Sequence, residues 1–251
     1  MTTHQYSFFL IPLVFVFSSI DEILAQQQNS EVIINQWFDS FLGHETTGLY
    51  NGLQYQNNFL ILNAKHQFFS ENLFQSGNLI YDGQNYSDIS LKYDIYQDNL
   101  IVKPRNAPES LSFQLVKSKV KKFGLAGAVF VHSDFWTTEK SAQNLGFCQL
   151  VWEDGTFNIL KKHYRRKKET TKNNKVFHEF EEKEEYFIIK DGFLKKCNRS
   201  IDWITVFPDY KSKINGFFKS YKLLKKNDSL TFMENLSKMI SELNQVPEMT
   251  K

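Results

Sequence analysis

The chain has 251 residues, 41% of them hydrophobic and 23% charged, and a formal net charge of +2. That length and balance exclude wholesale disorder and allow one sizeable core, while the near-neutral charge argues against a dedicated nucleic-acid binder. The aromatic share is 16%, with 24 Phe and 11 Tyr, and these rings favour pleated, half-buried surfaces, so they point to strands.

From Phe8 to Phe17 the chain reads FFLIPLVFVF, an apolar run too short to span a bilayer but suited to the core of an export signal. Cleavage is expected after Ala25, although residues 1–25 hold no Lys or Arg and Asp21 and Glu22 lie between the apolar run and the cut. Removal of that leader takes away two acids and no bases, so the net charge of +2 becomes +4. No later stretch approaches the roughly 20 apolar residues of a transmembrane helix, so the exported chain is expected not to span a membrane with helices.

Asn29 to Leu42 then places Ile33, Ile34, Trp37, Phe38, Phe41 and Leu42 at helical spacing, with Gly43 as the stop. Hairpin signals follow. Asn51-Gly52, Asp82-Gly83, Asp154-Gly155 and Asp191-Gly192 are dipeptides suited to type I′ turns, and Asp98-Asn99 is a weaker fifth. Between turns, Ile89, Leu91, Tyr93 and Ile95 alternate with Ser90, Lys92, Asp94 and Tyr96, so one buried and one solvated face are expected.

Near the end, Pro208 opens a helical pattern through Ile214, Phe217, Phe218 and Tyr221, and Lys225 to Asp228 make a polar break. Thr231 and Glu234 have capping-box spacing ahead of Leu236, Met239, Ile240 and Leu243. The predicted fold is mainly β (α+β): a curled antiparallel sheet, barrel or sandwich, with a short N-terminal helix and two C-terminal helices. Its expected organisation is a leader over 1–25, a β domain over 26–206, and a helical hairpin over 207–251 packed on the same domain.

Chemistry-bearing patterns are few. Tyr50 with Tyr55 and Tyr81 with Tyr86 repeat Y-[ND]-G-x-x-Y. They read either as exposed platforms on which a sugar could stack or as cross-strand aromatic pairs at hairpins. Lys161 to Lys175 hold eight bases, among them Lys162, Arg165 and Arg166, ahead of the acidic run Glu179 to Glu185. This reads either as an arm for anionic surfaces or as a hairpin pairing a basic strand with an acidic one, turning near Thr170 to Asn174. The histidines have no metal spacing, and His132-Ser133-Asp134, as strand neighbours, cannot assemble a relay among themselves. Cys148 and Cys197 match no metal spacing and read as free or as one disulfide. No nucleotide or nucleophile motif occurs and no cofactor is implied.

The block from Phe74 to Val102, with its Y-D-G-x-x-Y and L-K-Y-D segments, and the later Phe207-Pro208-Asp209-Tyr210-Lys211 helix start resemble a group of uncharacterised exported proteins of Bacteroidota. The resemblance implies export and a shared fold, and it implies no activity. The functional expectation is a periplasmic or extracellular β domain that binds or scaffolds without catalysis, with another envelope protein or a glycan as partner. The alternatives are an envelope hydrolase whose carboxylates come from separate strands, and an anionic-surface binder acting through residues 161–175.

Overall fold

The computed structural model describes residues 48–136 and 145–245, all within one unit, Thr47–Lys251. The expected leader and the expected helix over 29–42 lie outside the described residues. Eleven strands form one sheet: β1 (Leu53–Gln54), β2 (Gln75–Tyr81), β3 (Gln84–Asp94), β4 (Asn99–Lys103), β5 (Phe113–Gln114), β6 (Val120–Leu125), β7 (Ala128–His132), β8 (Phe147–Glu153), β9 (Asn158–Lys172), β10 (Lys175–Lys190) and β11 (Phe193–Lys196). Every pairing between them is antiparallel, in the order β1-β5-β4-β3-β2-β6-β7-β8-β9-β10-β11. The chain is therefore mainly β, and the sheet curls without closing into a barrel.

The curl is held by one irregular segment. Backbone bonds join Leu60, Leu62 and Lys65 to His178 and Phe180 of β10, and Gln67 and Phe69 to Ile95 and Tyr93 at the end of β3. β3 and β10 are separated in the sheet by five other strands, so residues 60–69 can satisfy both only if the sheet bends towards itself.

Turn chemistry explains most of the hairpins. Positive φ at both central residues occurs at Asp82-Gly83, Ala126-Gly127, Asn173-Asn174 and Asp191-Gly192, the geometry whose twist matches the flanking strands. Asp154-Gly155 instead lies in a wider loop, because Glu153 pairs with Asn158 and the Asp154 carboxylate accepts from the Thr156 and Phe157 amides. Asn51-Gly52 makes no hairpin. Gly52 is needed for close approach, since a Cβ there would stand 2.2 Å from the Gln114 carbonyl oxygen of β5.

A bulge at Asp88, whose φ is +56°, changes the phase of β3. Gly77 pairs with Ile89 and Leu79 with Tyr86, so Tyr86 and Ile89 face the same side despite their odd spacing. The expected solvated face is covered as well: Lys92 and Asp94 are buried along with Leu91, Tyr93 and Ile95.

The C-terminal end holds four helices: α1 (Ser200–Val206), α2 (Lys211–Ser220), α3 (Lys222–Asn227) and α4 (Ser229–Gln245). Lys225 and Lys226, expected in a break, are helical. The break falls at Asp228, which accepts from the Thr231 amide at 3.0 Å and caps α4 in place of the expected Thr231 box. Phe232, Leu236 and Ile240 of α4, Ile214 of α2 and Trp203 of α1 pack with Ile159 and Ile188 on one face of β9 and β10. Leu160, Phe187 and Ile189, with Val131 and Cys148, form a smaller cluster on the opposite face. The largest core joins Leu91, Tyr93, Phe123, Phe130 and Phe147. Cys148 and Cys197 are both free and buried, and burial pushes the Cys148 thiol up to about 12.

Candidate functional site

The repeated tyrosines do not build an exposed platform. Tyr81 and Tyr86 are 5% and 4% exposed and belong to the main core, because the Asp88 bulge turns Tyr86 inward. They are also not opposite each other, since Tyr81 pairs with Gln84 and Tyr86 with Leu79. Tyr50 packs against the same core with its ring 6.1 Å from that of Phe113. Of the four, Tyr55 lines the cleft described below.

The basic arm is one strand of a long charge-matched hairpin, turning at Asn173-Asn174. Arg166 pairs with Glu181 at 2.6 Å, Arg165 with Glu182 at 2.9 Å, and Lys161 with Glu184 at 2.5 Å. Arg165 also donates to the Phe68 carbonyl at 2.9 Å. Lys162 is buried and donates to Asp98 and to the Phe147 carbonyl, each at 2.9 Å. Lys162, Arg165 and Arg166 therefore serve the hairpin and the fold rather than a projecting arm.

The same hairpin makes a testable electrostatic contribution. Glu182 lies 3.6 Å from His163 Nδ1 and 2.9 Å from Arg165 Nη1. The imidazole first, and then the guanidinium, hold its carboxyl down to about 2 against burial. A depressed folded-state pKa gives stability that is present above the ordinary carboxylate value and is lost as pH falls towards about 2. Glu182 is half exposed, so the contribution is below about 1 kcal/mol. In urea titrations, Glu182→Gln is expected to lose less stability than the parent between pH 4.5 and 2, and parallel losses would contradict this assignment.

A concave site lies where the β1 end, residues 68–74, β3 and the loop from Pro104 to Ser112 meet. It is a cleft of about 520 Å³, in the range of small-ligand sites. Gln54, Gln56, Asn57, Asn58 and Asn72 supply carboxamides, Ser110 supplies a hydroxyl, and Phe68 and Phe74 supply apolar surface. Lys92 lies at its base. Its ammonium sits 4.2 Å over the Phe68 ring and 5.3 Å from that of Phe74, donates to the Asn72 carbonyl at 3.1 Å, and stands 3.7 Å from Glu109. Burial lowers the Lys92 pKa, opposed by the Glu109 and Asp94 charges.

Behind the cleft wall, Asp94 accepts from the Tyr55 hydroxyl and the Gln97 amide, each at 2.9 Å. Burial raises its carboxyl above the usual range, and these hydrogen bonds work against that shift. Gln67 donates to Asn57 Oδ1 at 2.9 Å, which fixes that amide with its oxygen towards Gln67. The walls are thus preorganised around one deep cation.

The chain matches no protein-family model, no curated protein sequence and no solved structure. Among the described residues no cluster of three or more His, Cys, Asp or Glu could hold a metal, and no helix is long and apolar enough to cross a membrane. Sequence reasoning found Tyr55 of this cleft and missed Lys92, Asn72 and Glu109. Lys92 and Asp94 stand at alternate positions, the pattern that a solvated strand face also gives. Burial comes from residues 55–74 crossing that face, which no local spacing reports.

Proposed function

We propose that the chain is an exported, non-catalytic binding domain whose ligand occupies the Lys92 cleft. The carrying observation is the cleft itself: carboxamide walls around one buried ammonium, with Tyr55, Asp94 and Gln67 bracing the side chains from behind. Sites of this composition orient a polar ligand through a few fixed donors and acceptors. Glu109 is the sole acid among the residues that line it, whereas glycoside hydrolysis requires two carboxylates flanking one bond, so the hydrolase alternative is not favoured. Export is supported by the apolar run Phe8 to Phe17, and an exported chain would carry the cleft in the cell envelope or outside it.

Both parts are tested on envelope fractions. The N-terminal peptide is expected to begin at Gln26 by mass spectrometry, and an intact Met1 in the cytoplasm would refute export. Purified protein is expected to be retained on immobilised envelope polymers. Ser110→Trp, which fills the cleft from its exposed rim, is expected to lower retention by about tenfold or more. Equal retention of both proteins would rule out the cleft as the binding site.

A further inference from the structure

We infer that the cleft takes an acidic sugar, a hexuronic acid unit of a short oligosaccharide, whose carboxylate replaces Glu109 as the counter-ion of Lys92. This rests on the binding-cleft assignment above and adds the ligand class.

The starting point is the coordination of Lys92. An ammonium has three donors, and among the described residues Lys92 donates one hydrogen bond, to Asn72 at 3.1 Å. The Phe68 ring face satisfies part of its charge at 4.2 Å. Glu109, at 3.7 Å, is beyond the 2.7–2.9 Å of a charge-assisted hydrogen bond. The lysine side chain is 6% exposed and the glutamate side chain 60% exposed, so a fixed cation is matched with a loosely held, solvated partner. Releasing an exposed carboxylate to water costs little, and an incoming carboxylate that reached hydrogen-bond distance would gain more than Glu109 does now.

The remaining walls select what carries that carboxylate. Gln56, Asn58 and Asn72 line the cleft with carboxamides that carry a donor and an acceptor side by side, the arrangement that matches neighbouring hydroxyls on a sugar ring. Gln54 already donates to the Ser110 carbonyl, and the Asn57 oxygen already accepts from Gln67 and the Phe59 amide, so Gln54 adds an acceptor and Asn57 a donor. A polyphosphate or nucleic acid would call for several cations, and Lys92 is the only base lining the cleft, with Glu109 balancing it. A peptide docking through its backbone would call for a long free strand edge; β3 at the base of the cleft is paired on both sides, and β1, the edge strand that borders the cleft, has two residues.

The test is calorimetric titration of the full chain with short oligosaccharides containing glucuronate, galacturonate, mannuronate or guluronate, each beside its carboxyl-reduced neutral counterpart. At least one acidic member is expected to bind about tenfold or more tightly than its reduced form, as one charge-assisted hydrogen bond implies. Lys92→Met is expected to erase that preference. Glu109→Gln, at an exposed side chain, is expected to strengthen acidic binding by removing the internal competitor, and it keeps the test usable if Lys92→Met fails to fold.

Equal binding of acidic and reduced members would overturn the carboxylate assignment and leave the cleft intact. Binding of no saccharide, with Ser110→Trp still releasing envelope material, would overturn the sugar assignment alone. Retention insensitive to Ser110→Trp would instead overturn the binding-cleft assignment, and this inference with it.

Discussion

Asp98→Ala is expected to destabilise the fold by roughly 3–5 kcal/mol, the scale on which a buried ion pair is broken by removing one partner. Asp98 lies in the loop between β3 and β4, and its carboxylate joins parts of the chain that are far apart in sequence. It accepts from Tyr93 Oη at 2.6 Å, Lys117 Nζ at 2.8 Å and Lys162 Nζ at 2.9 Å, and the Phe147 amide approaches it at 3.4 Å. Lys162 is the member that makes the loss large: its side chain is 6% exposed, and without Asp98 it would keep only the Phe147 carbonyl at 2.9 Å. Gly146 shows how close the fit is, since a Cβ there would stand 1.8 Å from Asp98 Oδ2. Asp98→Asn separates charge from backbone, because Asn also tolerates the positive φ of +57° at this position. The double variant Asp98→Ala/Lys162→Met is expected to recover most of the loss, as apolar replacement of a whole buried pair is often neutral. Urea unfolding of the four proteins in this cycle measures the coupling. A single-variant loss below about 1 kcal/mol, or no recovery in the double variant, would show that the stranded cation is not the cause.

The same network marks where sequence stopped being informative. Asp98-Asn99 reads as a turn, and it is one, but the role of the carboxylate depends on partners up to 64 positions away. Features set by neighbours in sequence were legible. The Asp82-Gly83 and Asp191-Gly192 hairpins follow from turn chemistry, and the basic and acidic runs pair across a hairpin because opposite charges face each other in register. Features set by a distant crossing were not. Lys92 and Asp94 alternate with apolar residues as a solvated face would, and they are buried because residues 55–74 lie over them. The carboxamides of the cleft come mostly from loops, where Asn and Gln are ordinary, so nothing local distinguishes Asn57, Asn58 or Asn72 as binding residues. The extra helix α1 was hidden for another reason: Ser200 to Val206 is two turns long and rich in β-branched residues, with weak helical propensity. Packing of Trp203 and the interaction of Asp202 with Arg199 at its start decide it.

That dependence makes Trp203 the second position of large expected effect. Trp203→Ala is expected to cost about 3–5 kcal/mol, the range for emptying a buried large aromatic site. Trp203 is fully buried, its indole Nε1 donates to the Cys197 carbonyl at 2.8 Å, and its ring stacks on Phe207 at 6.2 Å while meeting Phe157 edge-on at 6.3 Å. It therefore links α1 to the end of β11 and to the loop before β9, and the cluster around it is distinct from the core of Leu91, Tyr93, Phe123 and Phe130. Loss should fall first on the helices, so hydrogen exchange is expected to show α1, α2 and α4 losing protection more than β2, β3, β6 and β7. The two buried thiols give an independent readout. Cys197 lies in the Trp203 cluster and Cys148 in the smaller cluster on the other face of the sheet, so an alkylating reagent is expected to reach Cys197 sooner than Cys148 in the variant. Trp203→Phe keeps most of the packing and loses the hydrogen bond, and should retain the greater part of the stability. If protection fell equally across all elements and both thiols reacted together, the helices and the sheet would unfold as one cooperative unit, and the separation of the two cores would be structural without being energetic.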